Sequence, residues 1–414
     1  MKSLIPIFTG LLVAGPLLHA QDPRLLDGKL LSILRAEAAR NHPAARSAGL
    51  RASAAAGDIR SVRLWDDPMV GLSVMMADKA MRRDDGDLRV SFEQPLPKPG
   101  LFAANLAKAE ATHRAEQEKT RSSSLETGAA AARDAIELAL ADESIALQTA
   151  QIRWLDSMVT NARQNALNPE GNSIDALRLE SELARENQIL LAARRTRESV
   201  SRSLNLRLGR SLESPWPTLR LPSDPPPVPV ASAEIARISR VNPKVRSMKE
   251  MASAANAETR IADHDRVPQL ALSVDADLYS GGDFRSASVG LKMSLPYFNR
   301  SSYDAKIQAS QLREKAAVED IETSRLEIAS AVLTATTAAA NAAGQARAYS
   351  GDIHQRALQA SQAVEASWIS SKSPLTDLLE SNRQLFSIRL EQRRFVALQL
   401  AALEELNLLV PVRP

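Results

Sequence analysis

The residue types able to do chemistry are few and scattered. The five histidines, His19, His42, His113, His264 and His354, show no His-Glu-x-x-His spacing and have no thiol partner, since the 414 residues include no cysteine. Neither a zinc centre nor a nucleophilic thiol is indicated. Met69, Met75, Met76 and Met81 cluster round one short segment. Thioethers can hold a soft metal, but ordinary strand and loop positions account for these four more simply. No phosphate-cradling glycine loop and no Gly-x-Ser-x-Gly elbow occurs, so neither an enzyme nor a cofactor is expected. Two acids stand out by position. Asp175 and Asp377 each fall in the first turn of a predicted helix, where a carboxylate interacts favourably with the helix macrodipole.

The elements that would position such residues are legible from periodicity. From Pro268 to Tyr279, Leu270, Leu272, Val274, Ala276 and Leu278 alternate with Gln269, Ala271, Ser273, Asp275 and Asp277, the pattern of a strand with one apolar face. The segment occurs twice. Residues 43–74 align without a gap with 243–274, and 12 of the 32 positions are identical, among them Pro43/Pro243, Arg46/Arg246, Ser47/Ser247, Arg60/Arg260 and Pro68/Pro268. An alanine-rich bias would not supply those prolines and arginines, so the chain is read as a tandem duplication.

Taken in order, residues 1–20 combine a lysine, an apolar run from Leu4 to Leu18 and His19-Ala20, and read as a secretory signal peptide. The first repeat, 21–208, opens with a helix over 25–40 and a second to Trp65. A hairpin over 69–94 follows, with the polar loop 77–87 between its strands. A long helical hairpin over 101–208 completes the repeat, its first helix running unbroken to about Leu167. In that helix Leu138, Ile145, Ile152 and Val159 recur every seven residues beside a second stripe of Leu140, Leu147 and Trp154, which predicts helical neighbours on both sides. Residues 209–231 form a proline-rich, extended crossover. The second repeat, 232–414, replays the plan: helices, a hairpin over 269–294 and a long helical hairpin over 302–409, with one helix from Ser302 to Ser367. The helical hairpins turn at Asn168–Ser173 and Ile369–Pro374, far from the strands.

Composition fits an ordered chain, 44% hydrophobic and 24% charged, with aromatics at only 4%. Alanine carries much of the apolar count, which favours close helix–helix contact. The net charge of +3 includes no concentrated basic patch, so nucleic acid is not indicated. No stretch has the roughly 18 consecutive apolar residues of a membrane helix. Each strand, however, has the length of a tilted membrane strand, and four cannot close a barrel alone. Several chains contributing strands to one barrel, continued by a cylinder of helices, is the closed object the pattern predicts.

The signal, the duplication and two local motifs, SFEQPLPKPGLF at 91–102 and MSLPYFNRSSYDAK at 293–306, resemble the TolC family of outer-membrane efflux proteins. The second motif is similar to the strand-to-helix junction of the heavy-metal (CzcC-like) branch: Pro296, Phe298, Asn299 and Arg300 match, while Tyr303 stands where that branch has Gly. Pro95 and Pro97 mark the first junction.

The resemblance implies a mainly α fold with a membrane β-barrel portion. In it, tandem helical hairpins form an α-barrel and two β-hairpins per chain complete a twelve-stranded barrel in a homotrimer. It also implies an outer-membrane location with a periplasmic extension, and here no thiol for lipidation. The implied partners are outer-membrane lipid, a periplasmic adaptor (membrane fusion) protein and an inner-membrane pump of the RND type. The turns carrying Gly171, Asn172 and Ser173, and Ser371, Lys372 and Ser373, become adaptor-docking tips. Asp377, with Asp175 second, becomes a periplasmic gate. The implied function is passive conduction of metal cations or small toxic compounds. A periplasmic coiled-coil adaptor or scaffold is the competing reading, and the paired amphipathic hairpins argue against it.

Overall fold

A computed structural model describes residues 23–74, 86–167, 173–279 and 282–411, with the backbone alone at 86–87. The expected signal peptide, the loop 77–85, Met75, Met76 and Met81, and the turn residues Gly171 and Asn172 lie outside the described residues.

In the first half β1 (Arg24–Leu25) precedes α1 (Gly28–Asn41), α2 (Pro43–Ser61), the strands β2 (Met69–Val74) and β3 (Gly86–Pro95), and the helices α3 (Leu101–Asn165) and α4 (Ser173–Leu208). Strand β4 (Leu219–Arg220) lies in the crossover. The second half contains α5 (Ala231–Val241), α6 (Pro243–Asp265), β5 (Leu270–Tyr279), β6 (Phe284–Met293), a 3-10 turn at Pro296–Asn299, α7 (Arg300–Ser350), α8 (Asp352–Ile369) and α9 (Leu375–Leu409). Among the described residues no helix is long and apolar enough to cross a membrane.

The four longer strands form one antiparallel sheet in the order β2-β3-β5-β6. Two strands, β2 and β6, are its edges. Beneath it runs α3, whose 65 residues extend about 100 Å at 1.5 Å per residue. Against α3 pack α2 near the sheet and α4 beyond it, with α6 and α9 on its other flank. Alanine makes this crowding possible. Ala104, Ala111 and Ala115 near the sheet, and Ala129, Ala131, Ala132, Ala135 and Ala139 midway, are buried, because a methyl group is all that fits between backbones in close approach. At Gly128 even a methyl would meet Arg35 of α1 at 3.1 Å.

Midway down α3 the crossover is clamped to the helices. Arg24–Leu25 pair in parallel with Leu219–Arg220, so the first helix starts at Gly28 rather than Leu25, capped by the Asp27 carboxylate accepting from Leu30 N–H at 2.7 Å. Leu26, Leu30, Leu34, Leu138, Leu204, Leu208 and Leu219 form the core there. Within it the buried Asp142 accepts from Arg197 Nε at 2.6 Å and from Leu219 N–H at 2.8 Å, while Arg197 also donates to the Trp216 carbonyl at 3.2 Å. Asn205, fully buried, donates to the carbonyls of Leu212 and Ser214 and accepts from Trp216 Nε1. The duplication appears in the bonding as well. Asn41 donates to Leu208 O at 3.0 Å, and Asn242 donates to Leu409 O at 2.8 Å.

One sequence expectation is corrected here. The helix expected to run unbroken from Ser302 to Ser367 breaks at Gly351, whose backbone (φ −93°, ψ −123°) is not helical. Its N–H still bonds to Arg347 O at 3.1 Å and its carbonyl accepts from Gln355, so the chain resumes directly as α8. Glycine, about 1 kcal/mol poorer than alanine inside a helix, is where such a break costs least.

Replacing Asp142 by Ala strands a half-buried guanidinium and a buried N–H. The expected loss is roughly 2–3 kcal/mol, checked by urea unfolding followed by circular dichroism. Asp142→Asn, which keeps an acceptor, should lose less.

Candidate functional site: strand faces, junctions and helix tips

The sheet has two chemically different faces. Val70, Leu72, Val74, Val289, Leu291 and Met293 point to one side and are 54–74% exposed, a continuous apolar patch of the kind soluble monomers avoid. On the other side Arg89 Nε binds Asp277 at 2.7 Å and Lys292 binds Glu93 at 2.5 Å across strands. Between these pairs Ser91 donates to the Gly71 carbonyl and Ser273 to that of Gly290. A strand that is apolar outward and polar, paired and small inward is the sequence pattern of a wall between lipid and water.

At the base of the sheet the first junction places Pro95 as the last residue of β3 and Pro97 in the turn that leads to Gly100. Gly100 adopts φ +79° against the His264 ring, where a Cβ would meet Cε1 at 2.5 Å. Sequence reading missed this contact and its neighbours. Lys98 Nζ lies 3.5 Å and 3.4 Å from the carbonyls of His264 and Asp265 at the end of α6, a cation where the helix dipole favours one, and Lys306 of α7 pairs with Asp265. Only proximity in the fold joins residues 98, 264 and 306. At the second junction Pro296 is buried and opens the 3-10 turn, Tyr297 and Phe298 stand 71% and 86% exposed, and Arg300 begins α7. Asn299 flanks α7 without a side-chain capping bond.

At the opposite end both helical hairpins share one apolar cluster. Leu155, Met158, Val159 and Ala162 of α3 meet Ala176 and Leu179 of α4, Trp368 of α8, and Leu375 and Leu378 of α9. Helix α4 begins at Ser173 itself, with Asp175 in its first turn, and α9 carries Asp377 in its own first turn. The structure thus places both candidate gate acids at the same end, one helical turn inside each hairpin, with Asp377 exposed and Asp175 half-buried. Ser371, two residues past the end of α8, has φ +58°. Its N–H bonds to Trp368 O at 2.9 Å and that of Lys372 to Ser367 O at 2.8 Å, while the Ser373 hydroxyl reaches Val364 O at 3.4 Å.

Polar links that the sequence did not mark tie the two hairpins together. Glu182 of α4 accepts from Arg383 of α9 at 2.7 Å and from Arg185 at 2.8 Å, and Trp154 Nε1 donates to Glu365 of α8 at 3.1 Å. Burial pushes the Glu182 carboxyl up, but the hydrogen bonds from Arg185 and Arg383 outweigh it and hold the group below its usual range. A depressed folded value means the link is in place above the ordinary carboxylate range and is lost as pH falls through the lower value.

With this geometry in view, residues 236–410 match the model of the outer membrane efflux protein family, nearly the whole second repeat. Over the whole chain the fold is that of solved outer-membrane channels. VceC of Vibrio cholerae, an outer membrane protein, is 16% identical and superposes with a TM-score of 0.75 over 91% of this chain and 96% of its own. The MtrE outer membrane channel of Neisseria gonorrhoeae, in its open state, is 18% identical with a TM-score of 0.72 over 91% and 88%. CusC, solved in a study of transmembrane channel formation, is 14% identical with a TM-score of 0.75 over 99% of each chain. No curated protein sequence matches. The resemblance to the TolC-type efflux proteins thus holds in sequence for the second repeat and in fold from end to end.

Two measurements follow from the geometry. Leu272→Arg on the apolar face should cost on the order of 2–4 kcal/mol in a bilayer and Ser273→Arg on the polar face much less, read from folding in lipid vesicles against urea; equal costs would remove the assignment of faces. Ser371→Gly, which relieves a left-handed serine, should raise stability by about 0.5–1 kcal/mol, visible as a higher urea midpoint.

Proposed function

We propose that three copies of this chain form an outer-membrane channel that passively conducts solutes outward from the periplasm, as the exit duct of a tripartite efflux pump. The observation that carries this reading is the sheet: amphipathic, open at both edges and set at one end of a helical layer whose longest helix, α3, extends about 100 Å. Three such sheets make a twelve-stranded barrel, within the range that membrane barrels use. The helices below it then continue the wall into the periplasm. The whole-chain likeness to outer-membrane channels supports the reading, and so does the family match of the second repeat. An adaptor or scaffold would have no use for the apolar sheet face. No enzymatic step is assigned to the chain.

In this reading the chain is unlipidated, because it offers no cysteine to acylate. The helix turns at 168–173 and 369–374 meet a periplasmic adaptor, and through it an inner-membrane pump of the RND type. Metal cations and small toxic compounds are the substrate classes that the junction motif with Pro296, Phe298, Asn299 and Arg300 brings forward. Asp377 is the proposed gate. On a threefold axis three carboxylates in a narrow ring repel one another, raise each other's pKa and attract cations. Asp175 is the second candidate.

Single-channel recording in planar bilayers tests both levels. The wild type should insert as a cation-preferring channel of low resting conductance, and Asp377→Ala should conduct more and prefer cations less. A mutant channel unchanged in both respects leaves Asp377 as a helix N-terminal acid only, and no conductance from any preparation would overturn the channel itself.

A further inference from the structure

The helices carry a basic cleft that neither the junctions nor the tips account for. Where α3, the end of α5 and the start of α6 come together, a cleft of about 540 Å³ is lined by Arg121, Arg240 and Arg246 and by one carboxylate, Glu118. The three arginines stand on three different helices, so only the fold assembles them. We propose that this cleft binds a soluble phosphate or phosphomonoester, its phosphate group held by the three guanidinium groups.

The ion pairs of the cleft are of an open kind. A structural pair elsewhere in the chain uses both prongs of the arginine fork: Arg210 donates from Nε and Nη2 to the two oxygens of Glu37, each at 2.6 Å. In the cleft both arginines reach one oxygen instead. Arg121 Nη1 donates to Glu118 Oε1 at 2.7 Å, and Arg246 Nη2 lies 2.8 Å from the same atom. Glu118 Oε2 is buried and has no hydrogen-bond partner among the described residues. Glu118 thus fixes two guanidinium groups without closing a fork on either, and each keeps further N–H donors for a ligand. Arg240 is exposed and pairs with no acid among the described residues.

Charge and donor count select the ligand. Three guanidinium groups against one carboxylate leave the cleft positive. The start of α6 adds to this, because Arg246 lies in its first turn, where the macrodipole favours an anion. A carboxylate ligand has two oxygens to offer three arginines, whereas a phosphomonoester brings three terminal oxygens and close to two negative charges. The lining also includes Leu125, Val241 and Pro411, apolar surface that suits the organic part of an ester.

Position separates this ligand from a lipid headgroup. Helix α3 begins at Leu101, at the base of the sheet, and Arg121 lies about 30 Å further down it at 1.5 Å per residue. A headgroup at the base of the barrel does not reach the cleft, so the ligand comes from solution. The inference rests on the channel reading for this placement of the bilayer and for nothing else.

The test is calorimetric titration of the full-length protein in detergent, at low ionic strength, with inorganic phosphate, phenyl phosphate and benzoate. Both phosphates should bind and benzoate should not, and phenyl phosphate should be on the order of tenfold the tighter of the two. Arg240→Ala should weaken both phosphates about tenfold to a hundredfold. Arg195→Ala, which removes a like charge from an exposed position of α4, should leave them unchanged. Circular dichroism and native mass are measured on both variants, so that loss of binding is read only from protein folded and assembled as the wild type. Equal weakening by the two variants, or benzoate binding as tightly as phosphate, reduces the effect to overall charge and overturns the site. No heat from either phosphate at millimolar concentration also overturns it. Phosphatidylglycerol in mixed micelles should not displace phenyl phosphate, and displacement would overturn the soluble ligand. A protein that conducts in planar bilayers yet binds no phosphate fails the site alone, whereas one that binds phosphate and never conducts fails the channel reading alone.

Discussion

One constraint governs the proposed channel: a sheet edge cannot be left bare in hydrocarbon. Each unpaired N–H or C=O there costs several kcal/mol, which is why strands cross membranes only as closed barrels. This chain contributes four strands with an apolar outer face and leaves β2 and β6 without partners. In the channel reading proposed above, the sheet therefore contains the reason for oligomerisation. In the proposed channel, closing it requires other copies. What looks in one chain like an incomplete fold, with leucines such as Leu312, Leu326 and Leu333 in solvent along α7, becomes in the proposed channel a segment of a larger closed wall.

Below the sheet the physics changes from strand pairing to close packing of backbones. Alanine at successive turns of α3 lets five other helices approach it, and the apolar area each methyl buries is small, so the fold gains stability from length and number of contacts. Where the crossover passes the helices, polar side chains take over. Asp142, Arg197 and Asn205 satisfy carbonyls and N–H groups that an extended, proline-rich strap cannot satisfy itself. The waist of the molecule is thus held by specific hydrogen bonds around a leucine core, while the tip end is held by an apolar cluster. The break at Gly351 falls just beside this waist and only in the second repeat, since α3 runs unbroken. The second hairpin tip consequently joins the waist through a discontinuous helix, whereas the first joins it through a continuous one.

Much of this was legible in the sequence because it rests on periodicity. Strict alternation from Leu270 to Leu278 needs only the two-residue repeat of a strand, and the long helices announced themselves by the absence of proline between Leu101 and Leu167. The duplication was read from identities such as Arg46/Arg246. What stayed hidden depends on contacts between residues far apart in the chain. Nothing local marks Arg24–Leu25 as a strand, because its partner is Leu219–Arg220. His264 gives no hint that Gly100 must lie under its ring, and Glu182 gives none that Arg383 will reach it. Gly351 was visible as a glycine, yet whether a helix absorbs one or breaks at it is decided by packing on either side. The candidate tips were placed by topology alone, since small polar residues in a helix turn look the same whether or not anything docks on them.

The central claim is that several copies share one barrel, and the number of chains in the detergent-purified particle tests it most directly. Native mass spectrometry of protein extracted from outer membranes should give the mass of three mature chains, with no folded single chain at concentrations where the detergent keeps the protein soluble. A monodisperse particle of one chain that retains its strand content would contradict the account, because a four-stranded sheet with two bare edges would then be stable alone.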